Sequence, residues 1–391
     1  MNAADMSVPG VLVERGFRFF FLAAGSDAVM ALAFWLAVLA TGLPVPSAFP
    51  TPSAWHAHEM LFGFTSAVVA GFLLTAVPNW TGTEPATGKP VAVLAGLWLA
   101  GRLALWSGLP AGLSAPVDLA FLPVLAALIT PPIVRRRQWR NSAFPLFLVV
   151  LWAAQGLAHA GRIEPMRPEM IFAGQRLALA VIVLMIIIIG GRIVPAFTSG
   201  WLRDGVRAPP RWIDRSVCSF SAVGLAADLI PVPWSETVAG AAAAVAAVLL
   251  AVRMSGWCTA AVLSTPILWV LHLGYGWLVV AFALRAAALL TPWVAPMAAL
   301  HAFTVGVIGT MTLAVMTRAS LGHSGRPLVA SRLTVLAYAL VTAGGILRVA
   351  APHLPAITDA ATWGAGILWI AAYALFVGQF WPVLSRPRLS S

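Results

Sequence analysis

Two histidines and a glutamate, His56, His58 and Glu59, stand at the head of a long apolar stretch that ends at Trp80. Imidazole nitrogens bind transition metals and carry protons, and a neighbouring carboxylate can hold an imidazole in the orientation that a metal needs. Burying such ionisable groups at the end of a membrane-length apolar segment costs free energy unless they have hydrogen-bond or ionic partners. The stretch therefore indicates a site at which such partners meet.

The spacing of the two histidines limits what they can do together. If Ser53 caps a helix that is regular from Ala54 onward, His56 and His58 point about 200° apart and cannot bind one ion together. Either the first turn is irregular, so that the pair converges, or the two side chains serve different sites. On a regular helix Glu59 shares a face with His56, where its carboxylate could accept the second N–H of a metal-bound imidazole.

Two further histidines lie within apolar runs. His272 is predicted near the middle of a helix, and His301 about one turn into another. Ionisable groups at membrane depth mark pathways and sites, but a histidine there can also serve as a hydrogen-bonded packing residue. For His159, at a predicted helix end, and His353, in a predicted loop, an interfacial residue bonded to water or a carbonyl is favoured. His323, among glycines and arginines, fits an anion-binding loop or a solvated loop equally well.

Two arginines, Arg102 and Arg176, also fall within apolar runs. A buried guanidinium needs an anion. One interpretation is a structural pair with a carboxylate, and the other is an anionic cofactor or substrate, such as the propionates of a haem. The acidic residues predicted nearby are Glu59, Asp118 and Asp228.

Composition places all these residues in a membrane. The chain has 391 residues, of which 60% are hydrophobic and 9% charged, with a mean hydropathy of +0.90, so its polar surface cannot cover a soluble globule. The net charge of +11 comes mostly from arginines between apolar runs, which indicates membrane topology and not nucleic-acid binding. Cys218 and Cys258 form no metal or redox motif, and no disulfide framework is expected.

Apolar runs of membrane-spanning length predict an all-α, polytopic helix bundle of about twelve transmembrane helices in a single domain, residues 1–391. The first run lacks a cleavage site and is predicted to be a retained helix. The predicted helices are 19–40, 57–77, 91–109, 117–134, 143–159, 171–189, 213–230, 237–254, 260–284, 297–316, 333–349 and 364–380.

Charge predicts the orientation. With the N-terminus in the cytoplasm, eighteen of the 24 Lys and Arg residues lie at the inner face. Cytoplasmic loops are enriched in these residues, so both termini are predicted to be cytoplasmic. His56, His58 and His301 then lie in the outer half of the membrane. The six basic residues placed elsewhere are Arg102, Arg162, Arg167, Arg176, Arg285 and Arg348.

Several long segments resemble the signature segments of the NnrS family and are spread across most of the chain. They are WHAHEMLFGF with AGFLLTAVPNWTG (55–82), GGRIVPAFT (190–198), LHLGYGWL (271–278) and LHAFTVGVIGTMTLAVMTRASLGHSGRP (300–327). The resemblance implies a bacterial inner-membrane protein of twelve helices that contains haem and copper and is linked to nitric oxide response and denitrification. The histidines within the matching segments are His56, His58, His272, His301 and His323.

The residues are compatible with such cofactors. Imidazoles on facing helices can hold haem iron, and imidazole with methionine, here Met60 and Met297, suits copper. Covalent c-type attachment is not expected, since no C-x-x-C-H is present.

The resulting hypothesis is a b-type haem, with copper as a second metal, held in the outer half. The ligands are drawn from His56, His58, His272 and His301. Glu59 orients a ligand or relays protons, and Arg102 or Arg176 pairs with propionates. The partners implied are nitric oxide, the lipid bilayer and an electron donor that the sequence does not identify, with no nucleic acid. Nitric oxide would be turned over, as in an oxidoreductase, or cellular iron protected from it.

Two other classes remain open. A multi-span transporter of an anion or metal chelate would account for charges inside the membrane, such as Asp27 and Arg102. A sensor or assembly protein that binds haem without turnover would use the same histidines. Proteoliposome uptake and nitric oxide consumption distinguish these classes.

Overall fold

The computed structural model describes residues 7–46, 49–164, 167–203, 205–207 and 209–389, with the backbone alone for Asp228. The described chain is an all-helical bundle. Eleven of its helical segments are long and apolar enough to cross a membrane. These candidate spans are Gly16–Thr41, Pro52–Thr81, Lys89–Trp106, Ala111–Arg135, Trp139–Ile163, Glu169–Leu202, Ser235–Ser255, Pro266–Leu290, Pro296–His323, Arg332–His353 and Pro355–Leu384.

The chain forms two compact units. The first comprises the described residues of Met1–Val181, Ala319–Pro327 and Phe376–Ser391. Its helices are α1 (Val8–Glu14), α2 (Gly16–Thr41), α3 (Pro52–His58), a π-helix (Glu59–Thr65), α4 (Ser66–Thr81), α5 (Lys89–Trp106), α6 (Ala111–Leu119), α7 (Phe121–Arg135), α8 (Ala143–Ile163) and the start of α9 (Glu169–Leu202).

The second unit comprises the described residues of Ile182–Arg318 and Leu328–Leu375. After the rest of α9, its helices are α10 (Arg211–Ala226), α11 (Ser235–Ser255), α12 (Pro266–Leu290), α13 (Pro296–His301), a second π-helix (Ala302–Gly309), most of α14 (Thr310–His323), α15 (Arg332–Ala350) and most of α16 (Thr358–Leu384).

The difference between twelve predicted helices and eleven candidate spans lies at α10. The predicted helix 213–230 is a helix over Arg211–Ala226, followed by a 3-10 turn, and its 16 residues are too few for a span by length alone. It is also amphipathic, with Ile213 and Val217 buried while Arg211 and Arg215 are exposed. A multi-span membrane protein is confirmed, whereas the orientation of its termini stays a prediction.

The histidine-bearing helix of the first unit begins at a different cap from the one predicted. Thr51, not Ser53, accepts the N–H of Ala54 with its side chain, at 3.2 Å, and Pro52 occupies the first helical position. Proline suits this position because the N–H that it lacks would have no partner within the helix. The helix is therefore regular through His56 and His58 and changes to the wider π form at Glu59.

The two units repeat one local architecture. In each, a histidine is followed by a π-helix with a glycine five residues later, His58 with Gly63 and His301 with Gly306. The preceding helices match as well, because residues 17–36 of α2 and 267–286 of α12 show the same order of buried, half-buried and exposed positions. The short H-x4-G echo in the sequence is thus part of a longer structural repeat.

Carbonyl groups in the π-helices receive hydrogen bonds from aromatic side chains of other helices. Trp98 of α5 donates to the Gly63 carbonyl at 3.1 Å, and Tyr373 of α16 donates to the Gly309 carbonyl at 3.0 Å. These bonds supply partners to backbone groups that a π turn can leave without one. Each π-helix is therefore fixed in place from within its own unit.

The glycine of the second π-helix is predicted to be essential for packing. A Cβ at Gly306 would lie 2.5 Å from an indole carbon of Trp277, which is rigid and cannot move aside. We expect Gly306→Ala to destabilise the protein by about 1–3 kcal/mol, the usual cost of overpacking. A lower thermal unfolding midpoint in detergent would show this.

Gly96→Ala is the matched control, because a Cβ there meets no atom within 4 Å. In a regular helix this change should raise the midpoint slightly, since alanine is the better helix former by about 0.5–1 kcal/mol. Equal midpoints for the two variants would contradict the prediction.

Candidate metal centre

Three buried side chains of the first unit meet at one point. His58 ends α3, Asp118 lies near the end of α6, and His159 lies in the last turns of α8. One ligand atom from each lies within 4.8 Å of the others, close enough for a common metal ion. All three residues are at most 3% exposed, so bulk water does not compete for these atoms.

Asp118 is the acceptor around which the centre is built. Its Oδ2 accepts three N–H bonds at 2.9 Å each, from His58 Nε2, Gln155 Nε2 and His159 Nε2. Its Oδ1 accepts a bond from Arg102 Nη2. A buried carboxylate with an arginine partner and three further donors is well compensated as an anion.

Arg102 links this carboxylate to a second one. Its Nη1 donates to Glu59 Oε1 at 2.9 Å, and Trp106 donates to Glu59 Oε2 at 3.2 Å. Of the two interpretations of Arg102, the structural pair with protein carboxylates is the one observed. Glu59 and Asp118 are the residues involved, while the side chain of Asp228 lies outside the described part of the chain.

The hydrogen bonds decide which nitrogen of His159 carries a proton. Arg162 lies 2.8 Å from His159 Nδ1 and can only donate, so Nδ1 accepts. The N–H of this imidazole is therefore on Nε2, directed at Asp118. Arg162 is itself held by Ser114 Oγ at 3.2 Å and by the ring face of Phe49 at 4.5 Å.

His58 differs from His159 at its second nitrogen. Its Nε2 donates to Asp118, which leaves a lone pair on Nδ1. This Nδ1 is buried and has no hydrogen-bond partner among the described residues. The ring centroids of Phe49 and Phe62 lie 5.3 and 4.8 Å from the centroid of the His58 imidazole. An imidazole that gives its N–H to a carboxylate and keeps a bare nitrogen has the arrangement of a metal ligand.

The other members of the histidine–glutamate stretch have different partners. His56 is half-buried and stacks on Trp35, with ring centroids 4.7 Å apart and an interplanar angle of 15°. His56 and His58 therefore face different neighbours, as regular helical geometry predicts. The carboxylate of Glu59 is directed at Arg102 and Trp106, and it is Asp118 that holds an imidazole.

His272 and His301 lie in the second unit. His272 is in the second turn of α12, not near the middle of a helix, because Pro266 starts that helix later than predicted. Both of its nitrogens lie 2.8 Å from hydroxyl groups, those of Thr198 and Thr259. On the predicted topology this end of α12 faces the cytoplasm. His301 is half-buried, and its Nδ1 donates to the Met297 carbonyl at 2.9 Å.

Two of the sequence-based expectations are wrong about burial. Arg176, expected to be a buried guanidinium, is exposed in the second turn of α9. His159, expected at an interface with water or a carbonyl, is 1% exposed and bonded to Asp118 and Arg162. By contrast, His353 is exposed and accepts a backbone N–H, and His323 is exposed beside Phe17 at 5.7 Å.

A pattern in α8 could have indicated His159. Gln155, His159 and Arg162 follow each other at spacings of four and three, which puts three polar side chains on one face of a helix. Such a polar stripe in an otherwise apolar span indicates a buried polar partner on a neighbouring helix. The sequence does not show that this partner is Asp118.

Comparison with known protein families shows to which family the chain belongs. The family described as NnrS protein matches residues 11–388, nearly the whole chain. The chain belongs to the NnrS family. This NnrS-family chain is thereby linked to nitric oxide response by family association, and it is a multi-span membrane protein with a buried His/Asp/His set able to hold a metal. A search among curated proteins finds no match.

Proposed function

We propose that this protein is a metal-containing protein of the bacterial inner membrane that handles nitric oxide. The observation that carries the proposal is His58, whose Nε2 is held by Asp118 while its buried Nδ1 has no partner among the described residues. The link of the NnrS family to nitric oxide supports the choice of ligand. On the predicted topology, this centre lies in the outer half of the membrane.

The proton positions favour coordination through His58 Nδ1. An ion enclosed by all three side chains would have to take the place of the Nε2 protons of His58 and His159. For His159 the proton cannot simply move to Nδ1, because Arg162 already donates there. A metal at His58 Nδ1 requires no such change, and the Asp118 carboxylate then acts as the partner that orients the ligand.

A b-type haem and copper are the groups that we propose for this protein. Imidazole nitrogen suits both, and the bound metal would supply a coordination position for nitric oxide. His56 and His301 stay in the proposed ligand set, whereas His272 is the weakest member because both of its nitrogens have hydroxyl partners. Arg102 is not available for a propionate, since Glu59 and Asp118 use its two Nη groups.

The residues around His58 fit a small apolar ligand. Phe49 and Phe62 line the imidazole, and nitric oxide, which is small and apolar, can reach such a site through the lipid. The bound ligand would be turned over or kept away from cellular iron. Nitric oxide consumption by the purified protein, supplied with an electron donor, distinguishes these two outcomes.

The test is metal analysis of the purified protein and of histidine variants. We expect iron or copper by elemental analysis and, for haem, a Soret band in the wild type. His58→Gln keeps an N–H for Asp118 but removes the imidazole nitrogen, so metal content should fall at least about tenfold. His272→Ala should retain its metal. A wild type without iron, copper or Soret band would refute the proposal.

A further inference from the structure

A third carboxylate of the first unit lies near Arg102, whose guanidinium bonds Asp118 of the candidate metal centre. Asp27 of α2 is 2% exposed, and its Oδ2 has no hydrogen-bond partner among the described residues. It points into the notch left by Gly63, where a Cβ would lie 2.7 Å from Asp27 Oδ2 and 3.1 Å from Arg102 Nη1. Asp27 and Arg102 therefore line the same notch in the π-helix.

The charges around this notch do not balance. Asp27, Glu59 and Asp118 are three acids, and the buried cations near them among the described residues are two: Arg102, which bridges Glu59 and Asp118, and Arg162, which bonds His159. The charged groups that act on Asp27 are Glu59 from the π-helix and Arg102 from α5. A buried carboxylate without compensation is so costly that the group takes up a proton instead. The acid without a hydrogen-bond partner at Oδ2 is the one to hold it.

The repeated architecture of the second unit provides an internal comparison. Trp277 of α12 stands at the position that Asp27 has in α2, and its ring fills the notch at Gly306. Gly345 of α15 takes the place of Arg102 at this second notch. The notch therefore accepts an apolar side chain, and packing alone does not call for an acid at position 27.

We propose that Asp27 is a neutral carboxylic acid in the metal-free protein and that it releases its proton when a cation binds at the His58 centre. This inference rests on the proposed metal site. In the release step the O–H bond of Asp27 breaks, the electron pair stays on oxygen and the proton passes to solvent. The new negative charge offsets part of the added positive charge across a medium of low dielectric constant. Asp27 would thus couple metal loading to proton release.

Infrared spectroscopy of the metal-free protein tests whether Asp27 is protonated. A protonated buried carboxyl gives a C=O stretching band that is separate from the bands of carboxylates. We expect this band in the wild type, its loss in Asp27→Asn and its retention in Asp359→Asn, which makes the same change at an exposed acid. A band that survives in Asp27→Asn, or that is absent from the wild type, would overturn the proposal.

Calorimetric titration with Cu²⁺, repeated in buffers of different ionisation enthalpy, tests whether Asp27 releases its proton when the metal binds. Metal binding is linked to proton release, and the wild type should release about one proton more per ion than Asp27→Asn. Equal proton release would overturn the coupling while leaving the metal site intact. If Cu²⁺ binds neither protein, copper binding and the coupling to it both fail, and the infrared band still decides the protonation state of Asp27.

Discussion

Replacement of Asp118 by alanine is expected to destabilise the protein by about 3–5 kcal/mol, the usual cost of removing one partner from a buried ion pair. The change leaves Arg102 with Glu59 alone and removes the acceptor of three N–H bonds, including those of His58 and His159. We also expect the loss of bound metal, because the orienting carboxylate is gone. The thermal unfolding midpoint in detergent and the metal content measure the two effects.

Two further variants serve as a control and as a substitution of similar shape. Asp359→Ala removes an exposed acid in the first turn of α16, so it should leave the metal content unchanged and lower the midpoint far less than Asp118→Ala does. Asp118→Asn keeps the shape of the side chain but replaces one acceptor oxygen with an NH₂ group, which can only donate. This NH₂ would face other donors, so the variant should remain well below the wild type in stability. An Asp118→Ala protein that unfolds at the wild-type temperature would contradict the role given to this carboxylate.

Replacement of Arg102 by methionine is expected to have an effect of similar size. Methionine fills much of the volume, but Glu59 and Asp118 lose their shared cation in a buried setting. Removal of one member of a buried ionic network costs about 3–5 kcal/mol, because the remaining charges are uncompensated. A large fall in the unfolding midpoint would show this.

A second substitution in the Arg102→Met protein separates the effect of lost charge compensation from the effect of altered packing. With Arg102 already replaced, Glu59→Gln removes one of the stranded charges and should recover part of the lost stability, a coupling that a double-mutant cycle measures. Arg176→Met, at an exposed arginine, is the control. If Glu59→Gln destabilises the Arg102→Met protein further, the network is not held together in the way that the structure indicates.

Most of the fold could be predicted from the sequence because membrane spans depend on local composition. An apolar run of sufficient length predicts a helix without knowledge of its neighbours. The π-helices at Glu59–Thr65 and Ala302–Gly309 could not be predicted, since no local pattern separates them from α-helix. The segment at α10 was misjudged for a related reason. Its buried residues Ile213 and Val217 alternate with exposed charged residues such as Arg215, and the number of apolar residues in a segment does not show how they are distributed around a helix.

The site was predicted in part. Helical geometry alone separated His56 from His58. The cost of a buried guanidinium predicted an anion for Arg102, with Glu59, Asp118 and Asp228 as the candidates in the chain, and the first two are its partners. His159 was missed because its partner Asp118 lies 41 residues away in the chain, and tertiary packing alone brings the two together. The haem and copper ligands, the orientation of the termini and the single-domain organisation stay predictions.

The π-helix after His58 holds one residue more than a regular α-helix would need for the same rotation. Each residue of an α-helix turns the following residues by about 100°, and each residue of a π-helix turns them by less. A chain one residue shorter between Glu59 and Ser66 would therefore become regular α-helix and keep Gly71, where a Cβ would lie 2.6 Å from the Phe21 ring, against that ring. In an alignment, a relative with a one-residue gap in this interval would be expected to pack α4 on α2 in the same way. It would lack the wide turn that carries Gly63, whose carbonyl accepts from Trp98 at 3.1 Å.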